Sequence, residues 1–386
     1  MKTLLQTIIL LTAAIGAFGQ TPTVTKYFDW YKKNYIIQHP AFAHADTELL
    51  FVRQLYIPDG HAAEGRKQHI ESLLSKAGKE KRFADPVVAI LNLRTKKLTP
   101  VDYGWAPSFS PDDKKIVYSY QSVPISGKRV LAETLTGNNI KIYNRLSKKH
   151  DIIASPEKTF LLDPIFLDST TIIYKVGDAV NGAYEGGVAF NQINLQTKTN
   201  KPLYPVQKDH GLFHLAGGIY RICNETYYTV YIPQDSSSWM ANNYAHLLLH
   251  SNGIAHDFGK GPFKSLEGKL GIDKEGALLY LDDDHQLKAE KNMLIKYKDN
   301  KIVYQKELEF EYHKASMSPN GKYLLWYDYD NGIFIMDTDS FTSTKLALPE
   351  TEVYSIAWSD SSTRLAIVQG HEKLADTDLI SLFRLK

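Results

Sequence analysis

The unit that decides the fold reads Pro107-Ser108-Phe109-Ser110-Pro111-Asp112-Asp113-Lys114-Lys115-Ile116-Val117-Tyr118. A short strand ends in an aromatic residue, a polar turn follows, and a second strand of β-branched and aromatic residues then begins. Proline presets φ in such a turn, and serine and aspartate side chains bond the nearby backbone. The segment therefore predicts two antiparallel strands joined by a tight turn.

The same unit recurs along the whole chain. Residues 315–326 and 355–367 are two further clear copies, and four weaker copies become visible when the residue before the turn is used as an anchor. The seven anchors, of which the first belongs to a degraded copy, are His44, Phe109, Phe166, Ile222, Ile272, Met317 and Trp358. They recur every 40 to 65 residues or so, and a period of this size is typical of repeat architectures.

Two more strand-like runs follow the second strand of each unit. Asn331-Gly332 is a hairpin signal that leads into the run from Ile333 to Asp337. Four strands per unit at this period are typical of one sheet per blade in a β-propeller. We therefore expect an all-β fold, a propeller of seven four-stranded blades, with six blades as a possibility. A β-sandwich, or two stacked all-β domains, is the alternative fold.

A family resemblance is carried by two of the copies. The runs from Phe109 to Tyr118 and from Ser318 to Trp326, the latter continued by residues 330–337, resemble the repeat of TolB-type, WD-like β-propellers. This resemblance implies a secreted or periplasmic location and a scaffold for protein or ligand binding. It implies no catalytic residues.

The N-terminus has the pattern of an export signal. Lys2 precedes an apolar run from Leu4 to Phe18, and Ala17-Phe18-Gly19 offers small residues where a signal peptidase cleaves. A membrane anchor and a buried helix are the alternatives, although the run is shorter than the roughly 20 residues that span a bilayer. We expect a signal peptide at residues 1–19, a single propeller domain at residues 20–386, and a periplasmic or secreted protein. Cys223 is the only cysteine, so the fold has no internal disulfide.

The balance of charged residues limits the classes of partner that this protein can bind. The chain has 45 Lys and Arg against 43 Asp and Glu, whereas nucleic acids and anionic membranes require concentrated positive charge. We therefore expect an envelope or extracellular protein, or a glycan, as partner, no nucleic acid, and at most a peripheral membrane contact.

Gly-x-Ser-x-Gly, phosphate-binding and His-Glu-x-x-His motifs are absent from the sequence. No catalytic residue, cofactor or metal ligand is assigned. A polysaccharide lyase or glycosidase with its site over the central channel is the alternative to a binding scaffold.

Two segments outside the repeats have helical spacing. Thr21 to Lys26 could supply a strand that closes the ring, and Tyr27, Trp30, Tyr31 and Tyr35 then predict a short helix within residues 20–40. In the first blade, apolar residues of the segment from Ala62 to Lys76 predict a short amphipathic helical insertion.

The candidate ligand-binding residues lie at one face of the expected ring. The loops between second and third strands are long and dissimilar and emerge together, and binding residues concentrate on such loops. They carry the candidates Arg129, Tyr184, Glu185 and Trp239. Trp105, His313 and Tyr354 lie where innermost strands begin, so we expect them to converge near the channel mouth and to suit a sugar or aromatic ligand. Packing within the channel is the alternative role of these three.

Overall fold

The computed structural model describes residues 22–55, 86–120, 139–154, 159–180, 183–184, 189–204, 215–222, 225–233, 244–250, 253–261, 269–282, 292–299, 301–310, 312–375 and 377–386. Throughout these residues the regular structure is β-strand. None of them forms a helix long and apolar enough to cross a membrane.

The strands form seven antiparallel sheets, numbered here as blades 1 to 7 in chain order. The first strand of the described residues is β1 (Val24–Tyr31), and blade 1 then contains β2 (Tyr35–Phe42), β3 (Glu48–Leu55), β4 (Val87–Asn92) and β5 (Leu98–Tyr103). Blade 2 contains β6 (Trp105–Phe109), β7 (Lys115–Tyr120), β8 (Asn139–Asn144) and β9 (Lys149–Ala154). Blade 3 contains β10 (Thr159–Phe166), β11 (Thr171–Val180), the two-residue β12 (Ala183–Tyr184), β13 (Ala189–Asn194) and β14 (Asn200–Tyr204).

The remaining blades repeat the arrangement. Blade 4 contains β15 (Leu215–Ile222), β16 (Glu225–Pro233), β17 (Tyr244–His250) and β18 (Gly253–Gly261). Blade 5 contains β19 (Leu270–Ile272), β20 (Leu278–Asp282), β21 (Asn292–Lys298) and β22 (Lys301–Leu308). Blade 6 contains β23 (Lys314–Met317), β24 (Tyr323–Asp328), β25 (Gly332–Asp337) and β26 (Ser343–Lys345), and blade 7 contains β27 (Val353–Trp358), β28 (Arg364–Gly370) and β29 (Asp378–Leu385). The expected all-β fold of seven four-stranded blades is confirmed.

The N-terminal strand completes the last blade. β1 pairs antiparallel with β29, from Val24 opposite Leu385 to Tyr31 opposite Leu379, and becomes the outer strand of blade 7. The short helix expected from aromatic spacing in residues 20–40 is wrong, because this segment is extended and pairs with β29. Phe28 and Trp30 lie two positions apart on β1, and both pack against the core between blades 1 and 7. Pairing with an open sheet edge overrides the helical spacing.

The hydrophobic core is divided among the contacts between blades. Seven clusters of buried residues occur in the described part of the chain, and each joins two neighbouring blades. The cluster that closes the ring combines Leu49 and Phe51 of blade 1 with Val368, Ile380 and Leu382 of blade 7. Fully burying one such side chain contributes roughly 1.5–3 kcal/mol. Apolar burial between blades therefore holds the ring together.

The turns between the first and second strands of blades 1, 2, 6 and 7 share one geometry. In blade 2 the Ser110 hydroxyl donates to Asp112 at 2.7 Å, and Asp113, with φ of 56°, returns the chain to the next strand. In blade 1 the same backbone bond pattern runs from Ala43 to Asp46. Phe42 is therefore the true anchor of the first copy, and His44 occupies the second position of the turn, which is proline in blade 2.

Connectivity gives the ring two unlike faces. The turns between first and second strands and between third and fourth strands share one face, called here the turn face. The second-to-third loops and the links between blades share the other, called here the mouth face. The expected helical insertion in Ala62 to Lys76 lies outside the described residues.

Candidate functional site

A cleft of about 940 Å³ opens on the mouth face between blades 7 and 1. The start of β2, the start of β27, the end of β28 and the loop before β29 form its walls. We call it the mouth cleft. It is lined by Ile36, Ile37, Gln38, His39, Thr351, Glu352, Tyr354, Ser355, Gly370, His371, Leu374, Ala375, Thr377 and Asp378.

Tyr354 is the large aromatic residue of this wall. It lies at the second position of β27, where the pairing with β28 shifts register between Val353 and Ser355, and 43% of its surface is exposed. Gly370 on β28 lies beneath it, since a Cβ at that position would be 3.5 Å from the Tyr354 hydroxyl. The Lys314 ammonium of blade 6 donates to the Tyr354 carbonyl oxygen. The bulge and the small residue together present the ring at the cleft.

Three rings of blade 6, called here the blade 6 aromatic group, extend this surface: His313, Tyr327 and Tyr329. The His313 and Tyr329 rings meet edge to face with centroids 3.9 Å apart, and Tyr327 and Tyr329 are 5.3 Å apart. Burial raises the pKa of Tyr327, and neighbouring Tyr329 and Tyr354 add to the rise. The Tyr329 hydroxyl donates to Glu352 of the cleft lining, so the group lies against the cleft wall.

Two carboxyl groups of the cleft have different environments. Glu352 is exposed and accepts a hydrogen bond from the Tyr329 hydroxyl at 3.3 Å, and its charge raises the pKa of Tyr329. Asp378 is only 4% exposed, and its Oδ2 accepts the Ile37 backbone N–H at 2.7 Å. Burial raises the pKa of Asp378 to about 6. The cleft thus offers one exposed carboxyl group and one buried carboxyl group whose pKa is raised by burial.

The histidines of the cleft are positioned by local backbone structure. His39 has φ of 51° and precedes Pro40 at a β-bulge in β2, where the pairing with β3 shifts register. His371 accepts the Lys373 backbone N–H on Nδ1 at 3.1 Å, and its ring meets Tyr31 at 4.5 Å. A β-bulge redirects a side chain, and the bulge in β2 places His39 in the cleft lining.

The sequence-derived candidates fall into four groups. Tyr354 lines the cleft, and His313 belongs to the neighbouring blade 6 aromatic group. Trp105, the first residue of β6, packs instead against the core between blades 1 and 2. Tyr184 lies in β12. The candidates Arg129, Glu185 and Trp239 lie outside the described residues.

Sequence reasoning missed four polar residues of the cleft: His39, Glu352, His371 and Asp378. Glu352 and His371 flank the strands of the last blade, where the sequence shows no long loop. A usable sequence signal did exist for His39, which precedes a proline. Ala106 and Asp163 precede prolines at the same place in blades 2 and 3. All three residues have positive φ in the structure. Within the described ranges, no group of three or more His, Cys, Asp or Glu side chains could hold a metal ion.

Comparison with known proteins bears on the fold. No protein-family model matches the chain, and no curated protein matches it in sequence. Among solved structures, an oligogalacturonate lyase in complex with manganese superposes with a TM-score of 0.58 at 10% identity, covering 95% of this chain and 97% of the other. The chain is a β-propeller. The β-propeller domain of Myceliophteria thermophila Cps50 (Swd1) matches at a TM-score of 0.53 and 10% identity, covering 94% and 100%. An acylaminoacyl peptidase bound to a chloromethyl ketone matches at 0.55 and 12%, covering 91% of this propeller and 52% of the peptidase.

Proposed function

We propose that this propeller is an exported, TolB-like binding scaffold that recognises a glycan in the mouth cleft. The observation that carries the proposal is Tyr354, a half-exposed ring at the start of an innermost strand, beside Glu352 and His371 in one concave wall. Export rests on the apolar N-terminal run, and TolB-like character rests on the repeat resemblance.

The cleft has the chemistry that a saccharide requires. Its volume lies near the upper end of the roughly 300–1,000 Å³ typical of small-ligand sites. An aromatic face packs against the apolar C–H surface of a sugar ring. Carboxylate and imidazole groups accept and donate hydrogen bonds to hydroxyl groups, and Glu352 and His371 supply both kinds of group. A neutral or weakly basic sugar fits better than a polyanion because the wall carries carboxyl groups.

A second candidate function is a polysaccharide-active enzyme. The observation that favours it is Asp378, since a buried carboxyl group with a pKa of about 6 suits a general acid. One similar propeller is an oligogalacturonate lyase, and the likeness to it is one of fold. Glu352 would then be the second carboxyl group of the pair that glycoside hydrolysis uses.

Binding and turnover can be separated with the same purified chain. A panel of neutral, amino-sugar and uronate oligosaccharides is titrated by isothermal calorimetry, and the mixtures are then analysed for product by mass spectrometry after a day. We expect saturable binding and unchanged oligosaccharide. Tyr354→Ala should weaken binding at least about tenfold, which corresponds to 1.4 kcal/mol.

Tyr304→Ala is the matched control, because Tyr304 is also 42% exposed but lies on the outer strand of blade 5. Equal affinity of Tyr354→Ala and Tyr304→Ala would overturn the assignment of the cleft. Product that disappears in Asp378→Asn would establish the enzyme instead. A protein partner that is captured equally by both tyrosine variants would move recognition to the loops carrying Tyr184 and Trp239.

A further inference from the structure

The outer strand of blade 5 exposes an apolar segment at an open sheet edge. β22 pairs with β21 along one side, and no other described strand pairs with its second side. Three consecutive apolar residues of β22, Ile302, Val303 and Tyr304, are 52%, 54% and 42% exposed. An edge with unpaired backbone groups is a template for a further strand, and an exposed apolar patch marks an interaction surface. β22 is therefore a candidate docking edge.

A cleft of about 1030 Å³ lies beside this edge, between blades 5 and 6 on the turn face. We call it the blade 5–6 cleft. Val303 and Tyr304 of β22 line it from blade 5, and Phe341 lines it from blade 6. The Tyr304 and Phe341 rings are stacked with centroids 6.3 Å apart, and the Lys306 ammonium lies 3.6 Å from the centroid of the Phe341 ring. The open edge and the cleft thus form one continuous surface.

The hairpin of β21 and β22 places two cations together at this surface. Lys298 lines the cleft, and Lys301 lies directly opposite it on β22. Like charges at directly opposite positions destabilise a sheet. In the described part of the chain neither ammonium group forms a salt bridge, whereas neighbouring Lys296 is held by Asp273 at 2.5 Å and Glu275 at 3.5 Å. An anionic partner would relieve the repulsion between Lys298 and Lys301.

Blade 6 adds a further cation, and the side chains of β22 face the same way. Lys322 lines the cleft from the turn between β23 and β24. Lys301, Tyr304 and Lys306 lie directly opposite three β21 residues that line the cleft. Directly opposite residues share one face of a sheet, so these three side chains lie on the cleft face of β22. Ile302 lies opposite Tyr297, on the other face.

We propose that β22 binds an extended acidic peptide segment of a partner protein as an added strand. Main-chain hydrogen bonds supply affinity in this mode of recognition, and alternate side chains supply specificity. On the cleft face, carboxylates of the peptide pair with Lys298, Lys301 and Lys322, and one aromatic side chain packs against Tyr304. On the other face, apolar side chains cover Ile302. The bound segment therefore alternates acidic and apolar residues.

Charge favours such a peptide over a second copy of this chain. Two β22 strands that pair antiparallel about a two-fold axis have the same face on one side, so Lys301 and Lys306 of both copies would meet there. An acidic strand instead neutralises them. The site lies on the outer rim of the ring and does not depend on the function proposed for the mouth cleft.

The probe is a fluorescein-labelled peptide of eight residues, the length of β22. It alternates glutamate and valine, with phenylalanine in place of one central glutamate, and its binding to the purified full-length chain is followed by fluorescence anisotropy. We expect saturable binding that weakens at least about tenfold in Lys298→Gln/Lys301→Gln, because the cations opposite the glutamates are lost. This variant removes a repulsion, so its thermal midpoint should not fall below that of wild type. A lower midpoint would overturn the charge argument.

The matched control is Lys148→Gln/Lys149→Gln. These two lysines lie at the equivalent hairpin of blade 2, where β9 begins, so the control removes the same charge from another outer strand. Its dissociation constant for the peptide should equal that of wild type. Tyr304→Ala should weaken peptide binding at least about tenfold, whereas Tyr354→Ala in the mouth cleft should leave it unchanged. Equal effects within either pair of variants would remove β22 from the site.

Methylation of the peptide backbone separates strand addition from charge attraction alone. Alternate residues of a strand direct their N–H groups to opposite edges, so one form of the probe carries N-methyl groups on its valines and a second form carries them on the other residues. We expect one form to bind like the unmodified peptide and the other to bind at least about tenfold more weakly, since its hydrogen bonds to β22 are lost. Equal affinity of the two forms would overturn strand addition.

Three further outcomes would overturn the proposal. The first is failure of the wild-type chain to bind the peptide. The second is a uronate oligosaccharide of the same charge that binds as tightly and is weakened equally in Lys298→Gln/Lys301→Gln, which would assign the surface to an anionic glycan. The third is a wild-type dimer in analytical ultracentrifugation that Tyr304→Ala dissociates, which would assign β22 to a second copy.

Discussion

The Ile37 backbone N–H of blade 1 donates to the Asp378 carboxylate of blade 7 at 2.7 Å. This bond crosses the seam where the ring closes and lies in the wall of the mouth cleft. The same carboxyl group therefore serves both ring closure and the candidate ligand site, and its protonation links stability to pH.

Asp378→Asn should stabilise the protein at neutral and alkaline pH. The folded-state pKa of Asp378 is raised to about 6 from an ordinary value of 3.8, so the folded state binds the proton more tightly than the unfolded state. Wild-type stability contributed by this group is present below pH 4 and is lost as pH rises through about 6. We expect Asp378→Asn to gain about 2 kcal/mol of unfolding free energy at pH 8. Urea unfolding at pH 4 and pH 8 measures the difference, and a variant with the wild-type pH slope would contradict it.

Trp30→Ala should weaken ring closure. The Trp30 ring lies 5.3 Å from Phe51 and packs against the cluster between blades 1 and 7. Removing a packed aromatic side chain destabilises a core by roughly 3 kcal/mol. Tyr31→Ala on the same strand is the control, because Tyr31 is 49% exposed and should lose less than about 1 kcal/mol. Equal losses in chemical denaturation would show that β1 contributes no packing to the seam.

Lys198→Gly should stabilise blade 3. Lys198 is exposed in the turn between β13 and β14 and has φ of 58°, a conformation that disfavours every residue with a Cβ. Glycine removes this strain but adds unfolded-state entropy, so the expected net gain is about 0.5 kcal/mol. Thr197→Gly in the same turn should destabilise, because the Thr197 hydroxyl donates to Asn194 at 3.2 Å. Thermal unfolding of Lys198→Gly and Thr197→Gly measures the two stability changes. A gain in stability in both variants would refute the strain argument.

Glu352→Gln should lower the pKa of Tyr329. The Glu352 charge is the main cause that raises this pKa, and the amide keeps an acceptor for the Tyr329 hydroxyl while removing the charge. Ultraviolet titration of the variant, with Tyr329→Phe to assign the transition, follows the shift. Asp330→Asn provides a control on the neighbouring turn. An unchanged Tyr329 titration would place Glu352 away from the blade 6 aromatic group.

The blades could be predicted because the signal for them is local. A turn such as Ser110 to Asp113 encodes two paired strands within a dozen residues, and seven such turns imply seven sheets. The register of the first copy was wrong by two residues, with His44 taken for the anchor in place of Phe42. Its turn lacks the Ser-Pro pair that marks the clear copies in blades 2 and 6, so the anchor is harder to locate from the local sequence.

The sites could not be predicted to the same degree, because their contacts are distant in sequence. Ile37 and Asp378 lie 341 positions apart. Only the ring closure brings them together. Tyr354 was identified because its place at the start of an innermost strand follows from the repeat, whereas Trp105 at the equivalent place turns into the core between blades.

A crystal structure of the propeller with the tightest-binding oligosaccharide of the panel tests recognition at the mouth cleft most directly. We expect a sugar ring against Tyr354, with hydroxyl groups within hydrogen-bond distance of Glu352 or His371. A saccharide bound instead to the turn face, to an outer strand or to the loops of other blades would contradict it.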